Sequence, residues 1–402
     1  MGKEELPGRE IRIGIIGTGF VARGLTLLIR EDARYTVSKV LTRRPVDGRE
    51  NYNLAVEGSQ LTNSVDELIE NSELVIECSG DPVYVTEPLA RILDAGLPVV
   101  TMDAELHVTT GSWLARRGHI TEAVGDQPGS LALLREEALE MGFKPLVLGN
   151  IKGFLNHNPT LEDMEYWSRR NGISLTQVTS FTDGTKLQVE QALVANGLGA
   201  TIAKDGLNGF ECVELADGAR RLAEIADKIQ APISDYVLSP TSPPGVFIVA
   251  THHPDQASYL KYYKLGEGPY YILVRPFHLC HLELLSTVKR TLRGDDPLLN
   301  NSLTPQISVT TIAKRELKAG EVLPRGIGSF DVRGEAVKIA DHPDHVPIGL
   351  LSGAVVRRNI EPGEEITFGD VDLPDSLALE AWQAIRKEVL NRGKDIADLA
   401  AD

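Results

Sequence analysis

One stretch near the amino terminus, Ile11-Arg-Ile-Gly-Ile-Ile-Gly-Thr-Gly-Phe-Val-Ala22, limits what this chain can fold into more than any other. Its isoleucines predict a buried strand, and Val21 to Ile29 predict an apolar helix directly after it. Between the two, Gly17, Gly19 and Ala22 satisfy the spacing G-x-G-x-x-A. Gly17 permits the tight turn, Gly19 lets backbone N–H groups approach a pyrophosphate at the helix N-terminus, and Ala22 lets the helix pack closely on the sheet. Gly17, Thr18, Gly19, Phe20, Val21 and Ala22 are therefore expected to form a dinucleotide-binding turn.

The text that follows agrees with this. β-Branched runs at Ile11–Ile16, Val37–Leu41, Leu74–Glu77 and Pro98–Met102 alternate with helical stretches at Ser64–Asn71 and Val85–Ala95, and Gly96 sits where a helix would end. That predicts an α/β chain opening with an N-terminal Rossmann domain over residues 1–124. Residues 125–305 mix helices (Ser130–Met141, Thr160–Asn171) with strands (Gln177–Thr182, Gly245–Ala250, Tyr270–Val274), and predict an α+β substrate and dimerisation domain, with residues 239–245 as a turn. Residues 306–373 hold a weak repeat, Arg315-Glu-Leu-Lys-Ala-Gly-Glu-Val-Leu323 against Arg358-Asn-Ile-Glu-Pro-Gly-Glu-Glu-Ile366, which predicts a small C-terminal β-rich domain. Over 374–402, Asp375-Ser376 would cap a helix carrying Leu379, Trp382, Ile385 and Leu390 and stopping near Gly393.

Composition narrows the partners. A formal net charge of -16 opposes attachment to nucleic acid or an anionic membrane, since both draw on clustered Lys and Arg. No run reaches the roughly 20 apolar residues of a spanning helix, and the polar start lacks the apolar core of a signal peptide, so a cytoplasmic protein is expected. Cys78, Cys212 and Cys280 are odd in number and widely spaced, and read as reduced thiols. A small-molecule substrate and a homo-oligomer are the expected partners.

The second strand ends Leu41-Thr42-Arg43-Arg44, where an NAD-preferring fold usually carries Asp or Glu. Thr42, Arg43 and Arg44 suit a 2'-phosphate, because guanidinium groups bind phosphate oxygens through paired hydrogen bonds. NADP(H) is therefore the expected cofactor. At the next strand end, Ser79 and Gly80 would line the nicotinamide half of the crevice.

Several segments, in this order, resemble the homoserine-dehydrogenase-like NADP oxidoreductases that carry a C-terminal SAF domain, including the 1-deoxy-D-xylulose 5-phosphate reductoisomerase-like enzymes. They are Gly17-Thr-Gly-Phe, Val99-Val-Thr-Met-Asp-Ala-Glu105, Val124-Gly-Asp-Gln-Pro128, Phe181-Thr-Asp-Gly-Thr-Lys186, Gly268-Pro-Tyr-Tyr271, Arg275-Pro-Phe-His278 and the Gly-Glu repeat. The resemblance runs over most of the chain. It implies an SAF-like C-terminal domain and hydride transfer to or from a small phosphorylated or carboxylated hydroxy-ketone. Reductoisomerase-like chemistry of isoprenoid biosynthesis is one such reaction. The alternatives are alcohol oxidation without rearrangement, as in homoserine dehydrogenases, and a non-catalytic NADP(H)-bound sensor or assembly protein.

Lys186 is the expected catalytic residue, with Phe181–Lys186 read as a strand and an ammonium polarising a carbonyl or supplying a proton. The resemblance supports an Asp and Lys pair here, with Asp183 orienting Lys186. Glu190 lies one turn on if Leu187–Ala195 is helical, and Lys152, after an apolar strand, is a further catalytic or anion-binding candidate. Glu105, Asp126, Glu190, Arg275 and His278 are expected to face substrate. Asp103 and Glu105, two apart on an extended segment, would point to one side and hold Mg2+ or Mn2+. His278 and Cys280 read as one face of a strand, with His281 on the other, and His252-His253 as an ordinary loop.

Overall fold

The computed structural model describes residues 10–47 and 52–401, with side chains over 10–47 and 52–392. Strands β1 (Ile11–Ile16), β2 (Tyr35–Leu41), β3 (Leu61–Thr62), β4 (Leu74–Glu77), β5 (Val99–Thr101) and β6 (Ile120–Glu122) form one parallel sheet in the order β3-β2-β1-β4-β5-β6. Helices α1 (Phe20–Arg30), α2 (Val65–Asn71) and α3 (Pro82–Asp94) are the crossovers. Short α4 (Ala104–Leu106), a π-turn at His107–Gly111 and α5 (Ser112–Leu114) lead into β6. Both faces are packed: Ile13, Ile15 and Leu25 lie in one core, Ile16, Leu68 and Leu89 in another. The strand order reverses between β1 and β4, so a crevice opens beyond Gly17 and Cys78, where such sheets bind ligands.

Next come α6 (Gln127–Glu140), β7 (Lys144–Lys152), α7 (Leu161–Asn171), α8 (Leu175–Thr182) and α9 (Thr185–Leu198). They are followed by β8 (Phe210–Glu211), α10 (Leu215–Ile229), β9 (Ile233–Leu238), β10 (Gly245–Thr251), α11 (Ala257–Tyr262), β11 (Tyr271–Arg275) and α12 (His281–Leu292). The five strands form a mixed sheet in the order β11-β10-β7-β9-β8. Along β10, Val246, Ile248 and Ala250 pack with α6 and α9 residues, and Phe247 and Val249 with α10, the period of two that a sheet covered on both faces requires. Gly149 opposes Phe247, whose ring lies 2.1 Å from where a Cβ would stand.

The last segment has strands β12 (Ile307–Ala313), β13 (Val322–Leu323), β14 (Val332–Lys338), β15 (Ala354–Val356), β16 (Glu365–Ile366) and β17 (Val371–Asp372). They form two small antiparallel sheets, β14-β12-β16 and β13-β15-β17. The sequence repeat is a structural one. Leu317 and Ile360 exchange backbone hydrogen bonds of 2.9 Å, and Arg315 pairs with Glu321 as Arg358 does with Glu364. The charged turns fall at Gly320 (φ +86°) and Gly363 (φ +88°), which only glycine enters without strain. A final helix, α13 (Leu377–Ala401), is capped by the Ser376 hydroxyl and packs on its own chain, burying Trp382 beside Ile339 and Leu350.

Helix α9 is the axis of the molecule. Every residue from Thr185 to Ala195 is buried, between the mixed sheet and strands β12 and β14, so the helix has no solvent face and no amphipathic stripe.

Three expectations are corrected. Gln177–Thr182 is helical, because Ser174 and Gln177 form a reciprocal capping box that starts α8. Residues 276–280 are a loop and not a strand: β11 ends before Pro276, which lacks a ladder donor, and His281 opens α12. Helix α13 runs through Gly393 to Ala401. Among the described residues no helix is long and apolar enough to cross a membrane.

Asp183, at the end of α8, pairs with Lys314 at the end of β12 at 2.5 Å, with side chains 0% and 3% exposed. Removing one member of a buried pair strands the other. Lys314→Met should lower unfolding free energy by about 3 kcal/mol in urea titrations, and adding Asp183→Leu should recover most of it.

Candidate functional site

A cavity of about 680 Å³ opens over the carboxyl edge of the parallel sheet. At one end it meets the start of α1. Gly17 there has φ +110°, and a Cβ would stand 2.8 Å from the Cys78 carbonyl oxygen, so the turn admits glycine alone. Gly19 has nothing within 4 Å of a Cβ position, and no side chain caps α1. The first-turn N–H groups are thus free to meet an anion. Phe20, Val21, Ser79 and Gly80 line this end, and the Ser79 hydroxyl is buried without a partner.

Thr42, Arg43 and Arg44 follow β2 beside that turn. The Arg43 guanidinium lies 4.2 Å over the Tyr84 ring and 2.7 Å from Asp81, which caps α3. Arg44 lies 4.3 Å over the Tyr52 ring and donates to the Thr18 hydroxyl, and Thr42 accepts from its backbone N–H at 3.2 Å. Of the three, Arg43 lines the cavity.

At the inner end stands Lys186, in the first turn of α9. Its Nζ lies 3.0 Å from Glu105 Oε2 and 3.2 Å from Asp126 Oδ2, and all three line the cavity. Burial by itself would depress the lysine. The charges of Asp126, Glu105, Glu190 and Glu122 outweigh it and hold the ammonium well above the usual lysine range. Burial likewise opposes the Asp126 carboxylate, but Lys186 and His278 more than offset that and keep it below its ordinary value. A fixed ammonium with two carboxylate partners polarises an oxygen well and is a poor base at neutral pH.

Behind it runs a second tier. Glu190, four residues along α9, accepts from Asn150 Nδ2 at 2.9 Å and pairs with Lys152 at 3.3 Å. Gln127 donates to Asn150 at 2.8 Å and to the Gly245 carbonyl at 2.9 Å, and accepts from Lys152. Lys152 and Glu190 therefore brace α9 against β7. His107 and Glu122, both fully buried, lie 3.5 Å apart; burial takes the histidine down to about 3 and pushes the carboxyl well up.

The structure departs from the expected site in four places. Asp183 does not orient Lys186: its carboxylate belongs to Lys314, because α8 ends one residue earlier and turns it toward β12. Asp103 and Glu105 do not share an extended face; Asp103 caps α4 and Glu105 lies in that helical turn, tied to Lys186. Asp103 Oδ2 has no partner, and burial, with Glu77 and Glu105 near, raises its carboxyl well above the usual range. Among the described residues no group of three or more His, Cys, Asp or Glu is placed to hold a metal ion. Arg275 is committed to Glu283 and lies 4.5 Å over the Phe277 ring, and His278 is mostly buried in the loop after β11, its pKa lowered by that burial.

Residues 125–284 match the model of the catalytic domain of oxidoreductase DRL. The DRL catalytic-domain match spans the segments that supply Asp126, Lys152, Lys186 and Glu190, and it supports oxidoreductase chemistry at this cavity. No curated protein matches the chain by sequence. Among solved structures, S. aureus homoserine dehydrogenase is 12% identical at a TM-score of 0.39, covering 82% of this chain and 93% of that chain. A putative myo-inositol dehydrogenase from Sinorhizobium meliloti 1021 is 9% identical at a TM-score of 0.38, covering 72% and 92%. An inositol dehydrogenase homolog from Azotobacter vinelandii, complexed with NADH and myo-inositol, is 16% identical at 0.30, covering 40% and 47%. The parallel sheet order and the glycine turn carry the Rossmann assignment.

Lys186→Met should leave Asp126 buried among Glu105, Glu122 and Glu190 without its ammonium, costing about 3 kcal/mol at pH 7. The folded-state pKa of Asp126 then rises above its unfolded value, so the variant's stability deficit should shrink as pH falls from about 7 to 5. Urea unfolding at both pH values checks this, and an unchanged deficit would count against the charge balance.

Proposed function

We propose that the protein is an NADP(H)-dependent oxidoreductase acting on a small, polar, phosphorylated or carboxylated hydroxy-ketone. The observation that carries the reading is a single cavity joining the uncapped start of α1 at Gly19 to the buried ammonium of Lys186. The residues fit a dinucleotide. The turn at Gly17 has no room for a side chain, Gly19 is open to the cavity, and the first-turn N–H groups await an anion.

Nicotinamide supplies the hydride exchange when the cofactor is bound. Gly19, Phe20 and Val21 would present backbone N–H groups to the pyrophosphate, while Ser79 and Gly80 would border the nicotinamide half. Arg43 would exchange its exposed pairing with Asp81 for the 2'-phosphate, with Arg44 and Thr42 beside it. Lys186 would direct its remaining N–H bond at a substrate oxygen and stabilise negative charge there. Glu105 and Asp126 fix the ammonium in place, and Glu190, Asn150 and Lys152 hold the helix that carries it.

Fluorescence titration of the purified protein should show NADPH bound at least about tenfold more tightly than NADH. Arg43→Ala should remove most of that preference while leaving NADH affinity near that of the wild type. Failure of either nucleotide to bind would reject the proposal, and equal affinities in the unmodified protein would reject the NADP(H) preference.

A further inference from the structure

The acids and bases of the cavity are unevenly placed. Its four lining carboxylates, Asp81, Asp103, Glu105 and Asp126, all come from the Rossmann sheet edge or the turn that starts α6. The part of the lining that comes from the start of α8 and from residues 324–327 and 348–352 of the C-terminal β-rich segment carries no Asp or Glu. It carries hydroxyls, Ser174, Thr176 and Ser352, and one cation, Arg325.

Two of the cavity's four basic groups, Lys186 and Arg43, are paired with carboxylates. Lys186 is held by two carboxylates and Arg43 by Asp81, while the Arg23 guanidinium donates to the Tyr52 carbonyl at 3.1 Å beside α1. Arg325 has no carboxylate partner among the described residues; its Nη1 donates a hydrogen bond to the Thr176 hydroxyl. That bond uses one of five guanidinium donors. The loop holding it is closely fitted: a Cβ on Gly326 would stand 2.1 Å from the Ile348 carbonyl oxygen, and one on Gly328 2.2 Å from that of Thr176. Arg325 is thus set against α8 by backbone packing, with its donors left over.

We infer that Arg325, with the Thr176 and Ser352 hydroxyls, forms the oxyanion-binding end of the substrate site, taking the phosphate or carboxylate of the hydroxy-ketone whose oxygen meets Lys186. The inner end is too acidic to accept that group: Glu105 and Asp126 already surround the ammonium, and Glu190 and Glu122 lie behind. An anionic substrate is oriented by this polarity, charged end toward the C-terminal segment and reacting carbon toward the cofactor. Arg275, expected from sequence to make this contact, is neutralised by Glu283. The inference rests on the oxidoreductase reading for its substrate and deepens it by making the C-terminal segment part of the site.

Inorganic phosphate, with acetate in parallel, tests it by calorimetric titration of the full chain, both free and saturated with NADP+. Binding should persist in the NADP+-saturated protein, weaken at least tenfold in Arg325→Ala, and be partly retained in Arg325→Lys. The stronger of the two probes identifies the substrate's anionic group. Unchanged phosphate and acetate binding in Arg325→Ala, or no binding of either to the unmodified protein, overturns the inference. Loss of NADP+ affinity in Arg325→Ala with phosphate binding intact would assign the arginine to the cofactor and also overturn it. Failure of NADP+ to bind at all rejects the oxidoreductase reading separately, since the free protein still reports the anion site.

Discussion

A lysine ammonium enters a protein interior only if carboxylates go in with it, and the architecture of this chain is arranged around one such exchange. Lys186 meets Glu105 from the turn after β5 and Asp126 from the turn that opens α6, so three separately folded stretches converge on one charge. Because α9 is buried on every side, Lys186 has no route to solvent except through the cavity. The same burial that makes the ion group costly aims it at a ligand.

The second tier follows from that cost. Asn150 and Lys152 bind Glu190, and Gln127 binds both of them, which gives the interior polar atoms partners and fixes the register of α9 against β7. The Asp183–Lys314 pair does the corresponding work at the other side of α9, tying the end of α8 to β12. The C-terminal segment is therefore held to the end of α8 by a buried ion pair, and its 324–327 loop becomes cavity wall.

Local signals were legible where structure is decided by neighbours in sequence. Ile11–Ile16 and Leu74–Glu77 are strands at the bounds their β-branched runs indicate, and Thr160 caps α7 as its spacing to the helix implies. Gln177–Thr182 misled because Val178, Thr179 and Thr182 favour a strand, while the capping box at Ser174 and Gln177 decides for helix. In the site, Lys186, Glu105 and Asp126, each singled out separately in the sequence, are brought together by the fold. Asp183 and Arg275 do not join them, because each finds a partner in another element, Lys314 after β12 and Glu283 in α12, that no local pattern announces.

By itself the sequence determined the glycine turn, the parallel α/β opening, the absence of an acidic residue after β2 and the doubled charged turn near the carboxyl end. These depend on backbone sterics and on periodicities read within a few residues. Tertiary structure alone decided which charges are paired and which remain free. Pairing depends on distance in space and on the water removed around each group, and that is how Asp183 became structural, Lys152 a brace for α9, and Arg325 a cation lining the cavity without a carboxylate partner among the described residues.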